Sequence, residues 1–145
     1  VQALERLQER KPDLVIIHQT GRADLERTRR AYESRGVKAR VEPYLFRMGE
    51  AYQMADLVLC RAGATTIAEI TAIGKAAILI PYPYATHAHQ LQNALLLGEA
   101  GAAVVIEEKD LRGPELADKI IELLQDPDRL RTMAQKSKAL GKSDA

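Results

Sequence analysis

The sequence predicts an α/β protein built on a doubly wound, Rossmann-like parallel sheet. Short apolar segments alternate with longer segments of helical periodicity along the chain, which is the pattern of repeated strand–helix units. The apolar segments are continuous, with little alternation of polar and apolar residues. Strands of that kind are buried on both faces, as they are when helices cover a parallel sheet.

Five strands and seven helices are expected. The strands lie at residues 13–17, 37–41, 57–60, 77–80 and 103–106. The helices lie at residues 1–10, 23–34, 49–55, 66–73, 87–99, 114–125 and 128–140. Leu4 and Leu7 give the first helix an apolar face. Glycines end three of the helices, at Gly36, Gly74 and Gly101,.

The composition is that of an ordinary globular domain. The 145 residues fit one domain, and a net charge of +1 gives no electrostatic reason to expect nucleic acid or an anionic membrane as a direct partner,. Cys60 is the only cysteine, so no internal disulfide can form, which suits a reducing compartment,. The longest apolar runs, such as residues 76–81, are too short to span a bilayer,. Because the chain begins at Val1 within a helical pattern, we expect it to be a segment of a longer protein.

Ligands of an open parallel sheet bind beyond the carboxyl ends of its strands. Four loops should lie at that edge, and most of the unusual residues of the chain fall within them. They are residues 18–21 (HQTG), 43–46 (PYLF), 61–65 (RAGAT) and 81–88. These loops are therefore the candidates for a binding site.

The loop after the third strand, CRAGATTIAEI, combines small residues with one cation and one anion. It opens a helix, whose first amide groups have no partner within the helix. Gly63 and Ala64 let a ligand approach the backbone and Arg61 adds positive charge, which suits phosphate. Glu69, about one turn into the helix, would be repelled by phosphate and suits a ribose diol. A structural interpretation stays open, since Thr66 and Glu69 also match a capping box.

The other loops allow either a binding or a structural interpretation. His89, Gln90 and Asn93 lie near a helix start, where they could contact sugar hydroxyls or simply be solvated. Residues 44–46 could line a flat base or pack onto the core. Residues 18–21 could bind a ligand or form a plain turn.

No sequence pattern supports a metal site or a cofactor. His87 and His89 are two residues apart, so they do not share a helix face,. Asp126 and Asp128 lie between the last two helices, where we expect a turn residue and an N-cap, respectively,.

Four segments together resemble the MurG family of N-acetylglucosaminyl transferases. They are HQTG after the first strand, CRAGATTIAE after the third, HQLQNA after the proline loop and GAAVVI after the following helix. The similarity covers essentially the whole chain, in order and with matching spacings. MurG-like proteins have the two-domain GT-B fold, and this chain is similar to the C-terminal, donor-binding half.

The resemblance implies a site for UDP-N-acetylglucosamine. It implies that Glu69 binds the ribose hydroxyls, that Arg61 lies beside the diphosphate and that Gln90 binds hydroxyls of the N-acetylglucosamine. The other residues implied are Gly63, Ala64, Thr65 and Thr66 for the diphosphate, Tyr44, Leu45 and Met48 for the uracil, His89 and Asn93 for the sugar, and His18 and Gln19 for a loop near the cleft. Phe46 and Arg47 depart from the family, which often has acidic residues there.

The implied reaction is an inverting, metal-independent transfer of N-acetylglucosamine to undecaprenyl-pyrophosphoryl-muramyl pentapeptide, the step from lipid I to lipid II in peptidoglycan synthesis. The general base, the acceptor site and the contact with the membrane would belong to an N-terminal domain of the same protein. The chain alone should therefore be inactive. The full-length protein is expected in the cytoplasm, bound peripherally to the inner membrane.

Residues 1–145 are thus expected to be a UDP-sugar-binding domain truncated at both ends. The family's first strand, with its Gly-Gly-Ser phosphate loop, would precede Val1, and its last helix would follow Ala145. The missing strand would be central in the sheet. Its absence predicts a gap between the strands at residues 13–17 and 57–60.

Three alternatives remain open from the sequence. One is a non-catalytic sugar-nucleotide-binding subunit of a split glycosyltransferase. Another is a different UDP-sugar enzyme of the GT-B fold, such as an epimerase or a transferase for another hexose. The third is a structural or interaction domain that binds no ligand.

Overall fold

A computed structural model describes residues 3–84 and 89–143 and confirms the alternation of strands and helices. The strands are β1 Val15–Gln19, β2 Lys38–Glu42, β3 Val58–Cys60, β4 Ala77–Leu79 and β5 Ala103–Val105. The helices are α1 Leu4–Arg10, α2 Leu25–Ser34, α3 Met48–Met54, α4 Ala64–Ile73, α5 His89–Glu99, α6 Gly113–Leu124 and α7 Pro127–Ser143. A short 3₁₀ helix, Glu108–Asp110, follows β5 and is absent from the sequence prediction. In this part of the chain, no helix combines the length and the hydropathy needed to cross a membrane.

The described strands pair in parallel and form two sheets. β1 pairs with β2, with Val15 opposite Lys38. β4 lies between β3 and β5, with Ala77 opposite both Val58 and Ala103. Within the described residues, no ladder joins β1 to β3.

The chain divides into two compact units. Unit 1 contains Val1–Ala51 and Arg112–Glu122, and unit 2 contains Tyr52–Leu111 and Leu123–Ala145. The β1–β2 sheet belongs to unit 1, and the β3–β4–β5 sheet belongs to unit 2.

Unit 1 is built around apolar side chains of α1, α2, β2 and α6. The buried members are Ala3, Leu4, Leu7, Tyr32, Val37, Val41, Ala117 and Ile121. At the surface, the Asp118 carboxylate pairs with Arg6 at 2.8 Å and with Arg10 at 3.1 Å. These ion pairs link α1 to α6, but their side chains are about half exposed, so each contributes at most about 1 kcal/mol.

A polar contact joins β1 to α2 within unit 1. His18 Nδ1 lies 2.7 Å from the Tyr32 hydroxyl, and the two rings meet edge-on with centroids 5.8 Å apart. Burial lowers the pKa of His18 from its ordinary value and raises the pKa of Tyr32 to about 12,. Both groups are therefore neutral at neutral pH, and the contact is a hydrogen bond between uncharged partners.

The core of unit 2 surrounds β4. Ala77, Ile78 and Leu79 are completely buried, because β4 is the middle strand of its sheet. This position explains the continuous apolar sequence of the strand. Ile70 of α4 and Leu97 of α5 are also fully buried in this unit, so the helices around the sheet share its core.

Helices α4 and α7 approach each other closely through small residues. A methyl group on Gly141 would lie 2.5 Å from the carbonyl oxygen of Thr71 and 2.8 Å from its carbonyl carbon. Ser137 is completely buried, and its hydroxyl donates to the Ile70 carbonyl at 3.5 Å. Gly74 ends α4 in the left-handed conformation, with φ 83°,. This contact therefore tolerates little additional volume.

The expected N-cap of the last helix is wrong by two positions. α7 begins at Pro127, and Asp126 is the cap, because its Oδ1 accepts a hydrogen bond from Arg129 N at 3.1 Å,. Asp128 lies within the first turn and pairs with Arg131 at 2.8 Å. The physical reason is the proline, which suits the first helical position because it needs no amide partner there.

Gly141→Ala should destabilise the chain, although alanine favours a helix over glycine by about 1 kcal/mol. The added methyl group would overlap the backbone of Thr71, which cannot rotate away, and overpacking costs about 1–3 kcal/mol. We expect the melting temperature measured by circular dichroism to fall by several degrees. Gly49→Ala in α3 is the matched control, because nothing lies within 4 Å of its added methyl. Equal effects of the two substitutions would contradict the close contact.

The free energy of unfolding should depend on pH through His18. Since burial lowers the pKa of folded His18, the unfolded chain takes up this proton first as the pH falls,. The stabilisation that neutral His18 gives to the folded chain is complete above the unfolded pKa of about 6.5. It is lost as the pH falls from there through the lower pKa of the folded state. Urea unfolding at roughly pH 7.5 and roughly pH 5.5 measures the difference. His18→Gln should reduce this difference in the free energy of unfolding, and an unchanged difference in that variant would refute the assignment,.

Candidate functional site

The start of α4 leaves a row of amide groups open. The helix begins at Ala64, and its N-cap, Gly63, has an extended conformation. The first hydrogen bond of the helix runs from Ile67 N to Gly63 O at 3.0 Å. The amides of Ala64, Thr65 and Thr66 therefore precede the helical ladder, and the described residues give them no other partner,. With the helix dipole, these amides favour an anion.

The capping box that the sequence allows is not formed, so that interpretation is wrong. Gly63 occupies the N-cap position, Thr66 lies inside the helix, and no side chain caps the first turn. A glycine has no side-chain oxygen to offer to the first-turn amides. These amides consequently remain available to a ligand.

Glu69 is paired with a tyrosine that the sequence analysis does not identify. The Tyr52 hydroxyl donates a hydrogen bond to the partly buried Glu69 carboxylate, and Tyr52 itself is 8% exposed. Burial first, and then the Glu69 carboxylate, raise the pKa of Tyr52 well above its ordinary value, so the phenol stays a protonated donor,. Lys75 holds the end of α3, because its Nζ donates to the carbonyls of Gln53 at 3.2 Å and Ala55 at 2.8 Å. The Tyr52 hydroxyl is therefore a protonated group that interacts with the Glu69 carboxylate.

Two amide side chains of α5 hold the loop before α4. Gln90 Oε1 accepts hydrogen bonds from Ala62 N at 3.3 Å and Tyr82 N at 2.9 Å. Asn93 Nδ2 donates to the Ala62 carbonyl at 3.1 Å. Ala62 is completely buried, so these bonds satisfy its backbone N–H and C=O where water cannot reach them,. Gln90 Nε2 lies 3.7 Å from the position of a methyl group on Gly63, and it therefore borders the open helix start.

Arg61 lies against the segments that follow β4 and β5. Its Nη1 donates to the Ile80 carbonyl at 3.3 Å, and its Nη2 donates to the Glu108 carboxylate at 2.7 Å. The guanidinium carbon is 5.2 Å from the centre of the Tyr82 ring, within the range of a cation–π contact,. The Arg61 side chain is still 45% exposed, so its remaining N–H groups can reach a ligand,.

In unit 1, the last residue of β1 contacts the loop after β2. Gln19 Oε1 accepts a hydrogen bond from Leu45 N at 2.9 Å. The rings of Tyr44 and Phe46 are 5.1 Å apart, and these residues are 60% and 90% exposed. The interpretation that this loop packs onto the core is therefore wrong for its aromatic residues. Met48, the first residue of α3, is partly buried.

The predicted site residues form one group in each unit. The unit 2 group consists of Arg61, Gly63, Ala64, Thr65, Thr66, Gln90 and Asn93, with Glu69 further along α4 and His89 exposed at the first residue of α5. The unit 1 group consists of His18, Gln19, Tyr44, Leu45 and Met48. The predicted helix start at residues 87–88 lies outside the described residues.

Other chemistry-bearing groups add no catalytic centre to the described residues. Burial raises the pKa of the Cys60 thiol to about 12, so it remains a protonated, unreactive side chain,. In the ranges that the structure describes, no three His, Cys, Asp or Glu side chains are arranged to hold a metal ion.

Comparison with known proteins identifies one family over the whole length. Residues 1–145 match the glycosyltransferase family 28 C-terminal domain. The chain is 55% identical over 139 residues to the UDP-N-acetylglucosamine--N-acetylmuramyl-(pentapeptide) pyrophosphoryl-undecaprenol N-acetylglucosamine transferase of Syntrophus aciditrophicus, covering 96% of this chain and 38% of that protein. The protein of the same name from Myxococcus xanthus is 46% identical over 144 residues, covering 99% and 38%. The chain therefore spans less than two fifths of the length of these two relatives.

Solved structures share the fold. The crystal structure of Acinetobacter baumannii MurG has a TM-score of 0.80 and 33% identity, covering 95% of this chain and 43% of that one. The forosaminyltransferase SpnP has a TM-score of 0.63 and 15% identity, covering 88% and 39%, which shows a common fold alone. These structures confirm the predicted α/β fold of GT-B glycosyltransferases. With a family match over all 145 residues and this shared fold, the chain belongs to glycosyltransferase family 28, whose C-terminal domain it represents.

Proposed function

We propose that this chain binds UDP-N-acetylglucosamine as the donor domain of an N-acetylglucosaminyl transferase that acts on undecaprenyl-pyrophosphoryl-muramyl pentapeptide. The observation that carries the proposal is the open start of α4, with Arg61 before it and Glu69 further along the same helix. A site for one anion and one diol is what a nucleoside diphosphate sugar requires. The names of the two relatives, which state this donor and acceptor for those proteins, support the assignment.

The diphosphate is assigned to the amides of Ala64, Thr65 and Thr66. They are directed by the helix and lack other partners among the described residues, and backbone donors of this kind bind phosphate without any side-chain rearrangement. Arg61 supplies the neutralising charge that a neutral backbone cannot. Glu69 is assigned to the ribose, because a carboxylate accepts two hydroxyl donors and is repelled by phosphate.

The sugar is assigned to the start of α5, which borders the open start of α4 within unit 2. Gln90 Nε2 borders Gly63, and the oxygen of the same side chain is already held by two backbone amides, so this nitrogen is the preferred donor to the sugar hydroxyls. His89, exposed at the start of α5, is assigned to the same sugar.

In the proposed reaction, an acceptor hydroxyl of the muramyl sugar attacks the anomeric carbon of N-acetylglucosamine, and the bond from that carbon to the diphosphate breaks with inversion. The electron pair leaves with UDP. The start of α4 and Arg61 stabilise the negative charge that develops on the leaving phosphate, and one such preorganised donor is typically worth about 3–4 kcal/mol. The proton of the acceptor passes to a base outside this chain.

The rest of the machinery is assigned to the part of the protein that this chain does not contain. An N-terminal domain would provide the general base, the acceptor site and the contact with the cytoplasmic face of the inner membrane. This division is consistent with the fraction of the relatives' length that the chain covers. On this proposal the chain alone binds the donor but does not turn it over.

Glu69→Ala should weaken binding of UDP-N-acetylglucosamine by about tenfold or more, since hydrogen bonds to a charged group are each worth about 1.5–3 kcal/mol. Titration calorimetry on the folded chain measures the affinity, and Glu99→Ala, an exposed carboxylate of α5, is the control. UDP with a 2′-deoxyribose should bind the unsubstituted chain more weakly than UDP, and this difference should disappear in Glu69→Ala. If the two nucleotides bind the unsubstituted chain equally, Glu69 is not the ribose ligand.

Tyr52→Phe should weaken UDP binding by a smaller factor, about threefold to tenfold, because a neutral hydrogen bond contributes about 0.5–1.5 kcal/mol. The substitution leaves Glu69 in place but removes the hydroxyl that interacts with its carboxylate. The same calorimetric titration with Glu69→Ala as the background provides the check. In that background Tyr52→Phe should have no further effect on affinity, and an undiminished effect would show that Tyr52 acts independently of Glu69.

A further inference from the structure

Arg61 is held by groups that the sequence analysis does not connect with it. The guanidinium contacts the Glu108 carboxylate at 2.7 Å, the Ile80 carbonyl at 3.3 Å and the face of the Tyr82 ring at 5.2 Å. Among the described residues, the carboxylate that pairs with Arg61 is that of Glu108. It stands 47 residues away in sequence, on the 3₁₀ helix that follows β5. The loop after β3 and the segment after β5 are therefore linked by one ion pair.

The contact has the geometry of a positioning interaction. A flexible arginine loses conformational freedom when it binds a ligand, and a partner that orders it beforehand removes part of that cost. Arg61 donates one hydrogen bond from Nη2 to Glu108 Oε1 and one from Nη1 to the Ile80 carbonyl. The other N–H groups of the guanidinium can therefore bind phosphate. The ion pair is partly exposed, at 45% and 36% for the two side chains, so its contribution to folding is small,.

We propose that Glu108 is a positioning residue that orients Arg61 for the diphosphate of a nucleotide sugar. The inference rests on the proposed function, because Arg61 has a phosphate to meet only if the start of α4 is the donor site. Glu108 acts through Arg61 and does not touch the ligand, which its own negative charge would repel. The 3₁₀ helix Glu108–Asp110 thus becomes a supporting element of the donor site.

The test compares UDP with uridine, which lacks the phosphates, by titration calorimetry on the protein at its natural length. Glu108→Ala should weaken UDP binding by about threefold to tenfold, as expected when an arginine must be ordered by the ligand itself. It should leave the affinity for uridine unchanged, whereas general damage to the fold would lower both. Glu108→Gln keeps an oxygen that Arg61 can bond, and it should restore most of the UDP affinity. Asp110→Ala is the charge-matched control from the same short helix and should not weaken UDP binding.

A double substitution tests whether Glu108 acts on UDP binding through Arg61. In an Arg61→Ala background, Glu108→Ala should cause no further loss of UDP affinity. A further loss there, or tighter UDP binding by both Glu108 variants, would overturn the proposal, the latter by showing that the carboxylate competes with the phosphate. If the unsubstituted protein binds neither UDP nor uridine, the proposed function itself fails. If it binds UDP and Glu108→Ala binds equally well, the positioning role alone fails.

Discussion

The candidate site depends on the buried backbone N–H and C=O groups of one residue, Ala62. Its amide donates to Gln90 and its carbonyl accepts from Asn93, so both polar ends of the residue are fixed by α5. Leaving either end unsatisfied in the interior would cost about 1–3 kcal/mol. With Ala62 held in this way, Gly63 takes the extended conformation that starts α4 at Ala64. The residue that precedes this uncapped helix start is thus held by contacts made by another helix.

The fold was largely predictable because its periodicity is strong. β4 reads as a continuous apolar strand since it is buried between two neighbours, and the glycines at positions 36, 74 and 101 have the positive φ that a helix end requires,. The 3₁₀ helix Glu108–Asp110 has no comparable signal, because three charged residues carry no apolar period. The start of α7 was misplaced because two aspartates flank Pro127, and only the hydrogen bond from Arg129 identifies the cap.

The site was predictable at the level of motifs and not at the level of contacts. Residues 61–69 reveal a helix start with an anion-binding character, because small residues and a charge pair stand together in sequence. The residues that contact these two charged side chains are remote in sequence. Tyr52 contacts Glu69 from a different helix, and Glu108, which pairs with Arg61, lies 47 residues away from it. No spacing rule links residues that only the tertiary fold brings together. A capping box and a ligand site also share one sequence pattern, and the glycine at the N-cap decided between them.

Gln90 illustrates why an amide, rather than a carboxylate, suits this position. Two backbone N–H groups converge on one side-chain atom, which must therefore be the oxygen, and this fixes the nitrogen as the atom that borders Gly63,. A glutamate could accept the same two bonds, but its second oxygen would then face the helix start with negative charge. That charge would oppose the anion for which the open amides and Arg61 are arranged. The side chain that holds the loop is thus also the one that keeps the site electrostatically suited to a diphosphate.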